Sequence, residues 1–361
     1  MAVNNHRGGE RMLELCFLGL DGFAAEMVFA DENSGRWPNI EQLAHGGLYG
    51  ASECEADHMF TGPSWTSIYT GQPAAVHGLI DLWGRPLTGA KTFRTVKEPY
   101  IWDLLNDNGL VCGVIAMPIT YPARRINGYM IAGFPSPTLS VTGGVSVPDD
   151  FVVDHSQVIR QSQKISGVGY SFHDRYALDE DLEMLRRSEL RKAEVVADLL
   201  KQRPVDALFV QYSCLDRVGH ELNNYARRGI PYHHERILEM YDWLDVVLLP
   251  QLLSIRARHL IIVSDHGWQS LDVPMDCVGR GTAKVWGMHH PLGVFMFLGP
   301  DVPADTRVDC RNIDVLPTIM EALALPVPDV GGRSVLIRQS ELDEIDKHLA
   351  ALGYIEDHGE R

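Results

Sequence analysis

The sequence has no cysteine pair at CxxC spacing: its six cysteines stand at 16, 54, 112, 214, 277 and 310. That scatter excludes a small disulfide scaffold and a zinc finger, and it predicts small apolar core residues in a reducing compartment. Apolar runs are short. None reaches the ~18 residues that a membrane helix needs, and the first candidate, Leu13 to Ala30, is broken by Glu14, Asp21 and Glu26. A signal-peptide core is therefore not expected, no membrane association is expected, and the cytoplasm is the expected location. Positive charge is also scarce, with 32 Lys+Arg against 48 Asp+Glu and a net charge of −16. A nucleic-acid polymer is a poor partner for such a surface, because nonspecific binding rests on Lys and Arg neutralising phosphates. A small phosphate ester stays admissible, since a bound metal reverses the local field.

What the chain does contain is a repeated alternation. Near-continuous apolar runs end in polar clusters: Leu13 to Leu20 before Asp21-Gly22, Val111 to Ala116 before Met117-Pro118, Ala207 to Tyr212 ahead of Asp216, His259 to Ser264 at Asp265-His266-Gly267, and Val294 to Leu298 at Gly299-Pro300. Runs buried on both faces and separated by helical patterns predict an α/β fold with a mostly parallel sheet. Helices are expected from Pro38 to Ala44, from Asp179 to Gln202, from His234 to Ile255 with an interruption near Pro250, from Asn312 to Leu323, and from Glu341 to Leu352. With 361 residues one large core suffices. The expected organisation is a disordered tail over 1–12 and a single catalytic domain over 13–361, with a Gly/Pro/Ser-rich lid insertion at about 127–174.

Ligands of an open α/β sheet bind beyond the carboxyl ends of its strands, where Asp21, Asp216, Asp265 and His266 all stand. Carboxylate and imidazole together suit zinc, manganese or iron. Asp216 and His220, four apart, share a face if that segment is helical, although a carboxylate–imidazole hydrogen bond would use the same spacing. Thr61 precedes Pro63, where a helix would begin and run to about Gly71. A hydroxyl there meets free amides and the positive end of the dipole, which favours phosphate. A helix cap would also explain Thr61, which becomes a nucleophile only when a metal or base removes its proton.

Assembled in order, these segments resemble the alkaline phosphatase superfamily, in its type I phosphodiesterase/nucleotide pyrophosphatase branch. The resemblance rests on Gly19-Leu20-Asp21-Gly22, Thr61-Gly62-Pro63-Ser64-Trp65 through Thr70-Gly71 and His77-Gly78, Asp216-Arg217-Val218-Gly219-His220, Ser264-Asp265-His266-Gly267, His289-His290-Pro291-Leu292-Gly293-Val294-Phe295, Asp314-Val315-Leu316-Pro317-Thr318 and Gly331-Gly332-Arg333. It implies an alkaline phosphatase-like three-layer sandwich. It also implies two divalent cations per chain, zinc first with manganese or iron as alternatives. Asp216, His220 and His289 would hold one; Asp21, Asp265, His266 and the Thr61 oxygen would hold the other. His289 is preferred to its neighbour His290 on its spacing to the following Pro. His77 reads as structural. The implied activity is hydrolysis of phosphoric esters, by preference diesters or pyrophosphates, through a phospho-threonine intermediate. A phosphomonoesterase, a phosphonate hydrolase on the same site and a non-catalytic metal-binding protein of this fold are the alternatives.

One departure bears on substrate. The asparagine that nucleotide pyrophosphatases carry shortly after this His-Gly is missing, with Asp81-Leu82 in its place. Trp65, Trp83, Tyr121 and Trp268 are available to stack a base or to fill the core.

Overall fold

The computed structural model describes residues 12–80, 96–134, 146–147, 178–227, 234–269 and 288–351. Its centre is a ten-stranded sheet. The strands in chain order are β1 (Leu13–Leu20), β2 (Leu48–Glu53), β3 (Cys112–Ile115), β4 (Gly128–Ile131), β5 (Ser146–Val147), β6 (Ala207–Tyr212), β7 (Ala257–Val263), β8 (Gly267–Gln269), β9 (Met288–His290), β10 (Leu292–Leu298), β11 (Thr306–Arg307) and β12 (Cys310–Arg311). The spatial order is β11-β2-β10-β7-β1-β6-β3-β4-β5, β12 also pairs with β2, and β8 and β9 form a separate two-stranded ribbon.

The middle of the sheet, β7-β1-β6-β3-β4, is parallel throughout. Beyond β7 the strand β10 runs antiparallel to both its neighbours, β7 and β2. Every strand read from the sequence is present. β2, β4, β5, β8, β9, β11 and β12 are additions, and β4 occupies the first residues of the segment expected to form a lid. The remainder of that lid falls largely on residues outside the described ones, as do residues 1–11 of the expected tail and residues 81–95 with Asp81, Leu82 and Trp83.

Alternation along β1 builds the three layers. Leu15 and Phe17 face one core with Phe209, Val263, Phe295, Trp65, Trp102 and Leu316. Cys16, Leu18 and Leu20 face the other with Val210, Ile262, Leu185, Val196 and Met240. Successive side chains of a strand point to opposite faces, so a central strand apolar at every position must be covered on both sides. The helix Leu178–Gln202 covers one face, with Asp179, Glu180 and Asp181 in its first turn and Lys201 in its last, each at the favourable end of the helix dipole. The expected break near Pro250 takes the form of a π-helical stretch. The helix His234–Trp243 continues through a π segment, Leu244–Leu248, into Leu249–Leu253. The wider turns accommodate a proline that has no N–H to donate.

Five of the cysteines, Cys16, Cys54, Cys112, Cys214 and Cys310, are free and buried. Burial pushes the Cys16 thiol up to about 12. Cys277 lies outside the described residues. Among the described residues no helix is long and apolar enough to cross a membrane.

Candidate active site

Strand ends and the helices after them deliver the polar residues to one place. Asp21 follows β1 directly, and its N–H donates to the Tyr212 carbonyl at the end of β6 (2.9 Å). Gly22 then turns the chain with φ +73°, a conformation that costs a residue bearing a Cβ roughly 1–2 kcal/mol. Asp216 and His220 lie one turn apart on the helix Cys214–Arg227, so that reading of their spacing holds. Gly219 between them lets the Trp268 ring lie against the helix, where an added Cβ would stand 2.6 Å from it. Asp265 and His266 follow β7. His289 comes from β9, whose pairing with β8 sets it opposite Trp268.

The distances are those of ligand shells. Asp216 Oδ1 stands 3.5 Å from His220 Nε2 and 3.4 Å from His289 Nε2, and the two imidazole nitrogens are 3.3 Å apart. His266 Nε2 is 3.5 Å from Asp21 Oδ1 and 3.4 Å from Asp265 Oδ2. Ligand atoms about 2.0–2.1 Å from one tetrahedral ion are separated by roughly 3.4 Å. Among the described residues two groups able to hold a cation emerge, Asp216/His220/His289 and Asp21/Asp216/His266, with Asp265 beside the second.

Hydrogen bonding makes the same case. Asp21 Oδ1, Asp216 Oδ1, both oxygens of Asp265 and His266 Nε2 are buried without a hydrogen-bond partner. Uncompensated polar atoms of this kind are costly and rare in native structures. Around them the partners are in place. His289 Nδ1 donates to the Met59 carbonyl (2.5 Å) and His266 Nδ1 to the Gly267 carbonyl (3.2 Å). Each bond leaves the Nε2 lone pair free for a cation. Asn312 Nδ2 donates to the Asp265 carbonyl, and Ser264 Oγ to the His266 carbonyl. The residues fit divalent cations.

Electrostatics register the same crowding. Burial, reinforced by the Asp216 charge, pushes Asp21 up to about 7. Burial together with Asp21 and Asp216 raises Asp265 well above the carboxylate range. Burial would also raise Asp216, but the neighbouring His220, His289 and Arg217 hold it below that range. Burial and the neighbouring His289 keep His266 well below an ordinary imidazole.

Thr61 is buried, 7% exposed, at the first position of the helix Thr61–Thr70, and Phe60 takes the cap position. A capping role is thereby excluded for Thr61. Its surroundings tie it to the cluster from both sides: Met59 and Phe60 contact His289, and one turn on, Trp65 Nε1 donates to Asp21 Oδ2 (3.3 Å). The first-turn amides of Thr61 and Gly62 have no carbonyl one turn earlier to bond. The possible competitor in this helix is Ser67, whose Oγ lies 3.0 Å from His77 Nε2. The Leu79 N–H donates to His77 Nδ1, so Nε2 carries the hydrogen and His77 serves as a donor to Ser67, not as its base. His77 is structural, as read from the sequence.

His290 turns away from the cluster and pairs with Glu26 at 3.3 Å. Trp65 is fully buried and Trp268 nearly so, which removes both from base stacking. Gln211, Asn312, Ser264 and the Met59 carbonyl escaped the sequence reading. Gln211 alone left a signal there, as a lone amide inside an apolar strand.

The family model for type I phosphodiesterase / nucleotide pyrophosphatase matches residues 15–280. The chain belongs to that family. Its members are bimetal-dependent hydrolases of phosphoric esters, and this protein is a metal-dependent hydrolase of that class. No curated protein sequence matches the chain. Among solved structures, it is similar to an inactive variant of murine ectonucleotide pyrophosphatase/phosphodiesterase 5 in complex with AMP, with TM-score 0.53 and 12% identity, over 89% of this chain and 97% of that one. The human enzyme of the same name gives 0.51 and 12%, over 88% and 97%. BT1596, a 2-O GAG sulfatase, gives 0.54 and 12%, over 90% and 73%. These likenesses show a shared fold.

Proposed function

We propose that the protein is a phosphodiesterase or nucleotide pyrophosphatase that works through a phosphorylated Thr61. Asp216, His220 and His289 hold one divalent cation; Asp21, Asp265 and His266 hold the other, completed by the Thr61 oxygen. Zinc suits the carboxylate–imidazole set, and manganese or iron would be accepted. The observation that carries this reading is the set of 3.3–3.5 Å separations among the carboxylate and imidazole atoms of the cluster, where Asp21 Oδ1, Asp216 Oδ1, both Asp265 oxygens and His266 Nε2 are buried without a hydrogen-bond partner.

When bound, the cations supply the charge that lowers the pKa of a hydroxyl and neutralises phosphoryl oxygens. Thr61 Oγ1 gives up its proton and attacks phosphorus in line, expelling the leaving oxygen. Amides at the start of the Thr61–Thr70 helix donate to the phosphoryl group, as unpaired first-turn N–H groups do. Water then attacks the phosphothreonine from the opposite side and restores the hydroxyl. The burial of Thr61 excludes bulk water from the first step. Small phosphate esters are the substrates in this reading. The cytoplasm is the proposed location, supported by five buried free thiols.

Elemental analysis combined with an ester panel tests the proposal. About two metals per chain are expected, with bis(p-nitrophenyl) phosphate turned over faster than p-nitrophenyl phosphate. Thr61→Ala should keep its metals and lose on the order of a thousandfold in kcat. A metal-loaded Thr61→Ala with wild-type turnover would remove Thr61 as nucleophile, and a preference for the monoester would remove the diesterase assignment.

A further inference from the structure

Behind the site lies a buried ionic pair for which the hydrolytic steps have no use. Glu189 and Lys192, one turn apart on the helix Leu178–Gln202, are both wholly buried and paired at 2.6 Å. Among the described residues, their hydrogen bonds go to the end of β6 and the residue that follows it. Lys192 Nζ donates to the Gln211 carbonyl (3.0 Å) and sits 4.8 Å above the Tyr212 ring. Glu189 Oε1 accepts from the Ser213 N–H (3.0 Å) and Oγ (3.3 Å). The two charges thus grip the chain on both sides of Tyr212, where β6 passes into the helix that carries Asp216 and His220.

From the gripped segment, the Gln211 side chain reaches across to the neighbouring strand. Its Nε2 donates to Asp21 Oδ2 at 2.9 Å, and it is the amide nitrogen that faces this acceptor-only carboxylate. Trp65 donates to the same oxygen. Oδ2 is therefore held by two donors, while Oδ1 stands without a partner and 3.5 Å from His266 Nε2. Backbone bonds close the unit, from the Asp21 N–H to the Tyr212 carbonyl and from the Asp216 N–H to the Asp21 carbonyl.

We propose that Gln211, buttressed by the buried Glu189–Lys192 pair, is a positioning residue that fixes the Asp21 carboxylate so that Oδ1 alone is offered to the cation. The proposal rests on the reading of Asp21 as a ligand. A buried ion pair is often replaceable by apolar side chains without loss of stability, whereas removal of one partner alone strands a charge. A registry role at the junction of β6 and its helix accounts for keeping the pair. Donors to the far side of a ligating carboxylate fix its orientation, and their loss lowers metal affinity about 10–100-fold.

The test measures metal affinity. Gln211→Leu removes the donor at nearly constant volume; Gln211→Glu turns it into an acceptor against Asp21. Zinc or manganese alone is titrated against a chromophoric chelator, with thermal unfolding of the metal-free protein alongside. Gln211→Leu should weaken one of the two metal equivalents about 10–100-fold, leave the other unchanged, and regain turnover in excess metal. Gln211→Glu should weaken the same equivalent further. The paired substitution Glu189→Met with Lys192→Met should weaken that equivalent too; if it fails to fold, Gln211→Leu decides. Wild-type affinity in Gln211→Leu, or equal weakening of both equivalents with a fall in melting temperature, overturns the proposal. Asp21→Asn separates the two readings. If it retains both metals at native affinity, Asp21 is no ligand. If it loses one while Gln211→Leu loses none, only the positioning role fails.

Discussion

His289 and His290 are neighbours with opposite surroundings, because successive residues of β9 face opposite ways. His289 meets Asp216, His220 and the Met59 carbonyl; His290 meets Glu26. His290→Ala should therefore retain both metals and near-wild-type turnover. His289→Ala should lose one metal equivalent, read by elemental analysis after dialysis, and fall at least about a hundredfold in affinity at that site. Equal loss in both variants would mean that the strand, not the side chain, matters. Gly22 offers a second residue-scale test. Gly22→Ala adds the strain of its φ of +73° to a Cβ 2.5 Å from Trp268 Nε1. The variant should lose about 1–2 kcal/mol or more, measured by denaturant unfolding, and bind metal more weakly, because Gly22 adjoins Asp21 and Trp268 packs edge-on to His220 and His289.

At the scale of elements, the helix Pro38–His45 is fastened by a residue distant in sequence. Asp245, fully buried in the π-helical segment, accepts from the Ile40 N–H (2.8 Å) and from Asn39 Nδ2 (3.3 Å). Asp245→Ala leaves that amide buried without a partner, which should cost about 1–3 kcal/mol in denaturant unfolding while metal content stays at the wild-type level. A loss of metal would show that this helix is coupled to the site. The same element illustrates what was legible. Apolar runs such as Ala207–Tyr212 and Leu13–Leu20 declare strands, since a strand buried on both faces has few polar positions to spare. β2, Leu-Tyr-Gly-Ala-Ser-Glu, is no such run, and its pairing with β10, β11 and β12 makes it a strand. Most of the candidate ligands drew attention in the sequence because they follow a strand or lie in the first turn of a helix, as Asp21, Asp265, His266 and Asp216 do. The partners of Gln211 and of the Glu189–Lys192 pair were not legible, because those contacts span 190, 19 and 24 residues of sequence; a lone amide in an apolar run marks Gln211 but not what it meets. The antiparallel entry of β10 was hidden for the same reason: an apolar run carries no sign of its direction.

At the scale of the whole molecule, three carboxylates and an imidazole meet in the interior of a chain that is already acidic by 16 charges. Without cations, burial first and then their mutual repulsion favour protons on them, which is why Asp21 is pushed up to about 7 and Asp265 is raised well above the usual range. A cation competes with those protons. The sign follows directly. Below about pH 7 the metal-free site holds protons that must leave on loading, so affinity should weaken as the pH falls and each binding event should release protons. Above that pH Asp21 is already ionised, its share of the release disappears, and affinity levels off with respect to it. Titration calorimetry with zinc at pH 6 in two buffers of different ionisation enthalpy measures the release directly, and the difference between buffers should shrink at pH 8. Loading should also stabilise the fold by about 2.7 kcal/mol when free metal exceeds its dissociation constant a hundredfold, seen as a higher melting temperature that a chelator reverses. If binding at pH 6 released no protons, or if the chelator left the melting temperature unchanged, the buried carboxylates would not be gathered around cations at all.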